Sequence, residues 1–224
     1  MRILSVRGSV CGAMLLACAV LTMVSCKGRM LPGGHGSEVG EGAASGSSQE
    51  AAQAGLVVLR SLVRQDNFQG LGFSSVDQAA RAQLSEPMSL FSVRLDALNG
   101  YKGEANASGL LQDAHKMIYP VTVDQQVVSS LSVAQRGDGW RATDFGNSAL
   151  TRALVAHKQS PTDFVVWVPA LKVYFSARGT GEALTLTPIM DDPRFDFQAG
   201  QGIPASKVFA VLQRGAEGYN GLPQ

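Results

Sequence analysis

Two adjacent serines and two histidines are the residues of this chain whose types could serve nucleophilic hydrolysis. That chemistry needs a hydroxyl activated by an imidazole, and the candidates are Ser129 or Ser130 with His115 or His157. Neither serine has a Gly-x-Ser-x-Gly turn around it, and both fall in a run typical of a β-strand. There, one hydroxyl would face solvent and the other a cross-strand neighbour. We expect structural roles for the serines and surface or helix-capping roles for the histidines.

One acidic cluster, which includes Asp191, Asp192 and Asp196, could hold a cation. It lacks the spaced Asp/Asn and Gly pattern of a calcium loop, so we expect an Asx-turn with a local Arg194 pair. The histidines lie 80 and 42 residues apart and form no short-spaced ligand pair. No phosphate-binding glycine loop is evident either. The sequence therefore predicts neither a metal nor a cofactor.

Aromatic residues in β-rich runs are the best candidates for a binding surface. Trp140, Trp167, Tyr119, Tyr174 and Phe175 all fall on predicted strands. Core packing is the ordinary role of such side chains. An incompletely covered sheet would, however, leave some of them exposed. If the chain has a binding surface, we expect Trp140, Trp167 and Tyr174 to form it.

The elements that would position these residues alternate between strands and helices. Apolar spacing predicts helices over 51–64, 148–158 and 205–217, and a short helix capped by Ser74 or Ser75 that runs to 84. Alternating or β-branched runs predict strands over 88–95, 118–123, 127–133, 140–145, 164–168, 171–177 and 183–187. Residues 124–126 and 137–139 are predicted turns.

This order predicts an α+β fold in which antiparallel β-meanders pack against helices on one side. Two meander-plus-helix halves are suggested, since a run of strands precedes a helix twice. No residue-level repeat relates the two halves. The order resembles that of small cystatin-like or PepSY-like modules in exported bacterial proteins.

The N-terminus has the pattern of an export signal. Arg2 and Arg7 precede an uncharged run, and that run ends in Met23-Val24-Ser25-Cys26. This ending resembles the lipobox of bacterial lipoproteins. The resemblance implies that type II signal peptidase cuts before Cys26 and that this cysteine carries diacylglycerol and an acyl chain such as palmitate. By the same resemblance, Lys27 implies the outer membrane. An uncleaved anchor helix is the alternative.

The predicted organisation has three parts: a signal peptide at 1–25, a lipidated cysteine and Gly/Ser-rich tether at 26–50, and an exported domain at 51–224. No cysteine follows Cys26, which excludes a disulfide framework from the domain. Removal of 1–25 takes away two arginines and no acid, and it changes the net charge from +1 to −1. Without a basic cluster, a nucleic-acid partner is not expected.

The function that these features favour is a noncatalytic binding module, held in the bacterial cell envelope by its lipid. Its partners would be the membrane, through the anchor, and an envelope protein. Two alternatives stay open. One is a hydrolase whose active-site residues are dispersed along the sequence, and the other is a carrier of an apolar ligand between sheet and helices.

Overall fold

A computed structural model describes residues 45–217, which form five α-helices, three short 3-10 helices and nine strands. The helices are α1 (Ser48–Leu62), α2 (Val76–Ala80), α3 (Leu95–Asn99), α4 (Ser148–His157) and α5 (Ala205–Ala216). The strands are β1 (Gln83–Leu84), β2 (Met88–Ser92), β3 (Gln112–Val123), β4 (Gln126–Arg136), β5 (Gly139–Phe145), β6 (Phe164–Val168), β7 (Val173–Arg178), β8 (Thr185–Pro188) and β9 (Ile203–Pro204).

All the described strands join one sheet. Its order is β5-β4-β3-β2-β6-β7-β8-β9, and β1 pairs with β3. Neighbouring strands are antiparallel except β2 and β6, which run parallel from Leu90 opposite Val165. The predicted α+β class is confirmed. Both predicted meanders are present, with β3–β4–β5 preceding α4 and β6–β7–β8 preceding α5, and β2 joins them in the middle of the sheet.

The β3–β4 hairpin closes where the sequence predicted a turn. Asp124 and Gln125 take left-handed φ angles of 50° and 66°. Two successive residues of that kind suit a two-residue hairpin, because their twist matches that of the paired strands. The hairpin aligns Tyr119 with Leu131, and the same register places Val121 opposite Ser129.

Helices cover both faces of the sheet, so the prediction of helices on one side only is wrong. Successive strand residues point to opposite faces, which separates Tyr119 from Ile118. Tyr119 and Leu131 belong to the apolar cluster under α1 and α2, and α5 packs on the same face over β6 to β8. We call this the front face. Ile118 lies on the back face, where α4 contributes Leu154 to the cluster.

The fold begins before residue 51, the predicted start of the domain. Ser47 caps α1: its hydroxyl accepts from the Glu50 N–H, and the Glu50 carboxylate accepts from the Ser47 N–H, each at 3.2 Å. Ser45 and Trp140 exchange two backbone hydrogen bonds of 3.0 and 2.9 Å. Residues 45–50, assigned to the tether, therefore belong to the fold. The rest of the tether, the signal peptide and Cys26 lie outside the described residues.

Other predicted boundaries also differ from the structure, and at residues 83–84 the reason is that tertiary pairing overrides the local pattern. The helix predicted to reach residue 84 ends at Ala80, and residues 83–84 instead pair with β3. Partners in the sheet ladder outweigh a helix propensity worth only about 0.7 kcal/mol per residue or less. The strand predicted over 88–95 ends at Ser92, and Leu95 begins α3.

Candidate functional site

Ser129 and Ser130 are both buried, so the prediction that one hydroxyl faces solvent is wrong. They are 0% and 6% exposed. The Ser129 hydroxyl donates to the Leu71 carbonyl at 2.6 Å, and the Ser130 hydroxyl donates to the Gly146 carbonyl. These hydrogen bonds join the segments that contain Leu71 and Gly146 to β4. Both serine protons are thus bound to acceptors that cannot act as bases, which favours the predicted structural role.

The two candidate histidines lie at the margins of the fold. His115 is exposed in β3 with a φ of 49°, and its Nδ1 lies 3.6 Å from an Asp113 carboxylate oxygen. His157 is the last residue of α4, as the predicted helix placed it. Among the described residues, neither imidazole hydrogen bonds to a serine hydroxyl. The structure therefore does not bring these candidates together as a nucleophile and its base.

The acidic segment forms the predicted Asx-turn. The Arg194 N–H donates to Asp192 Oδ1 at 3.1 Å, and its guanidinium donates to both carboxylate oxygens at 2.9 and 2.6 Å. This pairing holds the pKa of the Asp192 carboxyl below its usual range. Asp191 accepts from the Ala199 N–H at 2.8 Å. Within residues 45–217, no three His, Cys, Asp or Glu side chains are grouped to hold a metal ion.

A groove of about 920 Å³ runs beside α5 and the segment that carries Phe195. Its lining combines that ring and Val211 with the exposed cations Lys207 and Arg214. The groove is open and polar along its rim, whereas a carrier of an apolar ligand needs an enclosed apolar pocket. Its shape and lining do not favour the carrier hypothesis.

The structure separates the three aromatic residues predicted to form a binding surface. Trp140 lies on the edge strand β5 and packs against the front-face cluster under α1. Trp167 and Tyr174 pack against the back-face cluster. Tyr119 and Phe175, which are 4% and 0% exposed, are core residues, as such positions ordinarily are. Only Trp167 and Tyr174 remain together as a candidate surface.

Trp167 and Tyr174 form a cross-strand pair between β6 and β7. They lie directly opposite each other, with ring centroids 5.6 Å apart and ring planes within 8° of parallel. Both side chains are partly exposed. Burial raises the pKa of the Tyr174 hydroxyl, so that group stays a neutral donor near pH 7. Within the described residues, neither this hydroxyl nor the Trp167 indole N–H has a hydrogen-bond partner.

A charged pair lies elsewhere on the back face. Lys116 is on the same side of β3 as Ile118, and its ammonium lies 2.5 Å from the Asp144 carboxylate. Burial acts to raise the pKa of Asp144, but hydrogen bonds from Lys116 and Thr143 hold it below its usual value. Asp144 is on β5, which is four strand positions from β6 in the sheet, a spacing of about 19 Å. Stacked rings and a charged pair thus share one face.

Comparisons with known proteins return no match. No helix within residues 45–217 combines the length and apolarity needed to cross a bilayer. The resemblance of the strand and helix order to cystatin-like or PepSY-like modules stays a prediction. No protein-family model matches the chain, and neither a curated protein nor a solved structure is significantly similar to it.

Proposed function

We propose that this chain is a lipid-anchored protein of the bacterial cell envelope whose α+β domain binds an envelope protein without catalysing a reaction. One observation carries the binding part of the proposal. Trp167 and Tyr174 stack on the back face, partly exposed, with polar groups that have no partner among the described residues. The lipid anchor rests on the lipobox pattern that ends at Cys26.

Tryptophan and tyrosine suit a protein contact for a physical reason. Each presents a large apolar ring that loses little conformational freedom on binding, and each keeps one polar group for a hydrogen bond. The Lys116–Asp144 pair adds polar groups that could orient a partner on the same face. Aromatic residues are enriched at the centres of protein interfaces.

The positions of the nucleophile candidates favour binding over catalysis. Ser129 and Ser130 are buried and donate to backbone carbonyls, and the two histidines lie elsewhere on the fold. A hydrolase would need a base within hydrogen-bond reach of one of these hydroxyls. His115→Ala and His157→Ala variants that fold should therefore keep the cellular function. Loss of function in either variant with partner binding intact would favour the hydrolase alternative.

Replacing Trp167 with alanine is expected to weaken binding of the envelope partner by at least about tenfold, as loss of an interface hot spot does. The full-length chain would be cross-linked in its own envelope, purified, and the proteins attached to it quantified by mass spectrometry. Trp140→Ala is the matched control, because it removes the same side chain from the front face. A partner lost equally from both variants, at equal levels of folded chain, would contradict the assignment to the back face.

Replacing Cys26 with alanine is expected to abolish incorporation of labelled palmitate into the chain. The thiol is the acceptor for diacylglycerol in the lipoproteins that this N-terminus resembles, and alanine offers no nucleophile. Metabolic labelling followed by immunoprecipitation measures the outcome. Cys18→Ala is the matched control, since it removes a cysteine from the same apolar run. Persistent label in the Cys26→Ala chain would rule out the proposed anchor.

A further inference from the structure

The segment between α3 and β3 contains a five-residue pattern that the proposed function does not use. Its sequence is Glu104-Ala105-Asn106-Ala107-Ser108. An asparagine followed two positions later by serine, with any residue but proline between them, is the acceptor pattern for N-linked glycans in exported proteins. Bacterial glycosylation of this kind also needs an acidic residue two positions before the asparagine, where this chain has Glu104. None of the other four asparagines in the chain is followed by serine or threonine at that spacing.

The loop that carries the acceptor asparagine is accessible to an enzyme. Residues 102–106 are all exposed and belong to neither a helix nor a strand. A Cβ added at Gly103 would meet nothing within 4 Å. The residues on either side of the loop, Tyr101 and Ala107, are 5% and 1% exposed and belong to the front-face core. The fold therefore presents Asn106 on a short exposed loop whose two ends are fixed.

The two polar atoms of the Asn106 side chain differ in their contacts. Its Oδ1 accepts from the Ser108 N–H at 3.2 Å, which caps the short 3-10 helix that begins at Ala107. Its Nδ2 has no hydrogen-bond partner among the described residues. N-linked glycosylation uses Nδ2 and leaves the amide oxygen in place as an acceptor. A glycan on Asn106 is thus compatible with the folded loop.

The Ser108 hydroxyl is held by a neighbouring turn and must be released before a transferase can bind it. It accepts from the Gly181 N–H at 2.7 Å and lies 3.4 Å from the Gly181 carbonyl oxygen. Both residues are only partly buried. Contacts of this kind at the surface open locally at a much lower cost than the core does. Modification therefore requires opening of this turn and not unfolding of the sheet.

We infer that Asn106 is the acceptor for an N-linked oligosaccharide, which a bacterial oligosaccharyltransferase transfers from a polyprenyl diphosphate carrier. A bond forms between Asn106 Nδ2 and the anomeric carbon of the first sugar, and the bond from that carbon to the diphosphate oxygen breaks. The polyprenyl diphosphate leaves with the bonding electrons, and the amide nitrogen loses one proton to water. The inference rests on the export that we propose above, because such carriers present their oligosaccharide outside the cytoplasm.

Co-expression of the full-length chain with a bacterial oligosaccharyltransferase and its carrier-linked oligosaccharide tests the site. Trypsin releases residues 103–116 of the purified chain as one peptide, whose mass is measured. We expect this mass to rise by that of the attached oligosaccharide. Asn106→Gln should abolish the increase, because glutamine is not an acceptor. Asn99→Gln is the matched control and should leave it unchanged, since it removes an exposed asparagine that lacks the pattern.

Substitutions of the flanking residues show whether the transferase recognises the pattern. Glu104→Gln and Ser108→Ala should each abolish the modification, whereas Ser108→Thr should preserve it, because threonine keeps the hydroxyl. A parallel reaction of the purified chain with the transferase and carrier in detergent does not depend on export. Modification in detergent but not in cells would support the site and contradict the proposed export. An Asn106 that stays unmodified in both experiments, or modification that is insensitive to Ser108→Ala, would overturn the inference.

Discussion

Replacing Gly72 with alanine is expected to destabilise the domain by about 3 kcal/mol or more. Gly72 has a φ of +93°, which residues other than glycine rarely adopt. A Cβ added there would stand 2.0 Å from the Val128 carbonyl oxygen. That oxygen belongs to the backbone of β4, where the flanking residues Val127 and Ser129 pair with β3. The segment that supplies the Leu71 carbonyl to Ser129 would therefore have to move away.

Gly103→Ala is the matched control for this experiment. Gly103 has a similar φ of +82°, but a Cβ added there meets nothing within 4 Å. Its substitution measures backbone strain alone, worth roughly 1–2 kcal/mol. Equilibrium unfolding of both variants in urea gives the two free energies of unfolding. If the Gly72→Ala chain lost no more stability than the Gly103→Ala chain, the close approach between residue 72 and β4 would be wrong.

Replacing Asp163 with asparagine is expected to cost about 2–3 kcal/mol, because it removes the charge from a buried carboxylate that four donors contact. The Asp163 side chain is 3% exposed and accepts two hydrogen bonds from Arg178, at 2.9 and 2.8 Å. It also accepts the N–H groups of Gln159 and Ser160 at 2.8 and 3.0 Å. An asparagine has one acceptor oxygen and cannot satisfy four donors. At least one of them would lose its partner.

Asp96→Asn is the control, because Arg94 binds Asp96 in the same two-bonded geometry while both side chains are more than 60% exposed. Solvent screens that pair, so little stability should be lost. The Arg178 hydrogen bonds hold the pKa of Asp163 below its usual range. Its stabilisation is therefore complete above the unfolded pKa of about 3.9 and is lost as pH falls through the lower folded pKa.

Unfolding free energies measured from pH 7 down to pH 2 test this dependence. The difference between the unsubstituted chain and the Asp163→Asn variant should be constant near neutral pH and shrink below about pH 4. The corresponding difference for Asp96→Asn should stay small throughout. If the difference in unfolding free energy caused by Asp163→Asn stayed constant over the whole pH range, the charge of the Asp163 carboxylate would not be the source of its stabilising effect.

Local signals in the sequence were enough to predict most elements. The β3–β4 hairpin has β-branched runs on both sides of a turn, and its two left-handed φ angles suit a two-residue connection. The helices α4 and α5 have apolar residues at helical spacing, and their starts at residues 148 and 205 agree with the prediction. Where sequence neighbours pair with each other, periodicity and turn residues carry sufficient information.

Contacts between distant segments could not be predicted in the same way. Nothing near Leu90 indicates a parallel partner at Val165, and nothing in the α4 pattern indicates which face it covers. Alternation along a strand shows which residues share a face of the sheet. It does not show which of the two faces they occupy. The strand pattern therefore does not separate Trp140 from Trp167, although the two lie on opposite faces.

The apolar residues of α1 outnumber those that its buried face contains. Leu56, Leu59 and Val63 account for a buried face at helical spacing. Val57 and Val58 fall outside that face and are apolar nonetheless. Apolar character alone therefore does not identify the face that a helix buries.

The central position of β2 governs how this chain can reach its folded state. Leu90 and its partner Val165 are about 75 residues apart, so a long loop must close before the sheet is continuous. Contacts of such separation slow folding. Before β6 pairs with β2, one side of β2 is an unpaired and largely apolar edge of the sheet. A strand of another chain can pair with that edge. Synthesis that stops before residue 164 would thus release an aggregation-prone intermediate, whereas the complete chain closes that edge itself.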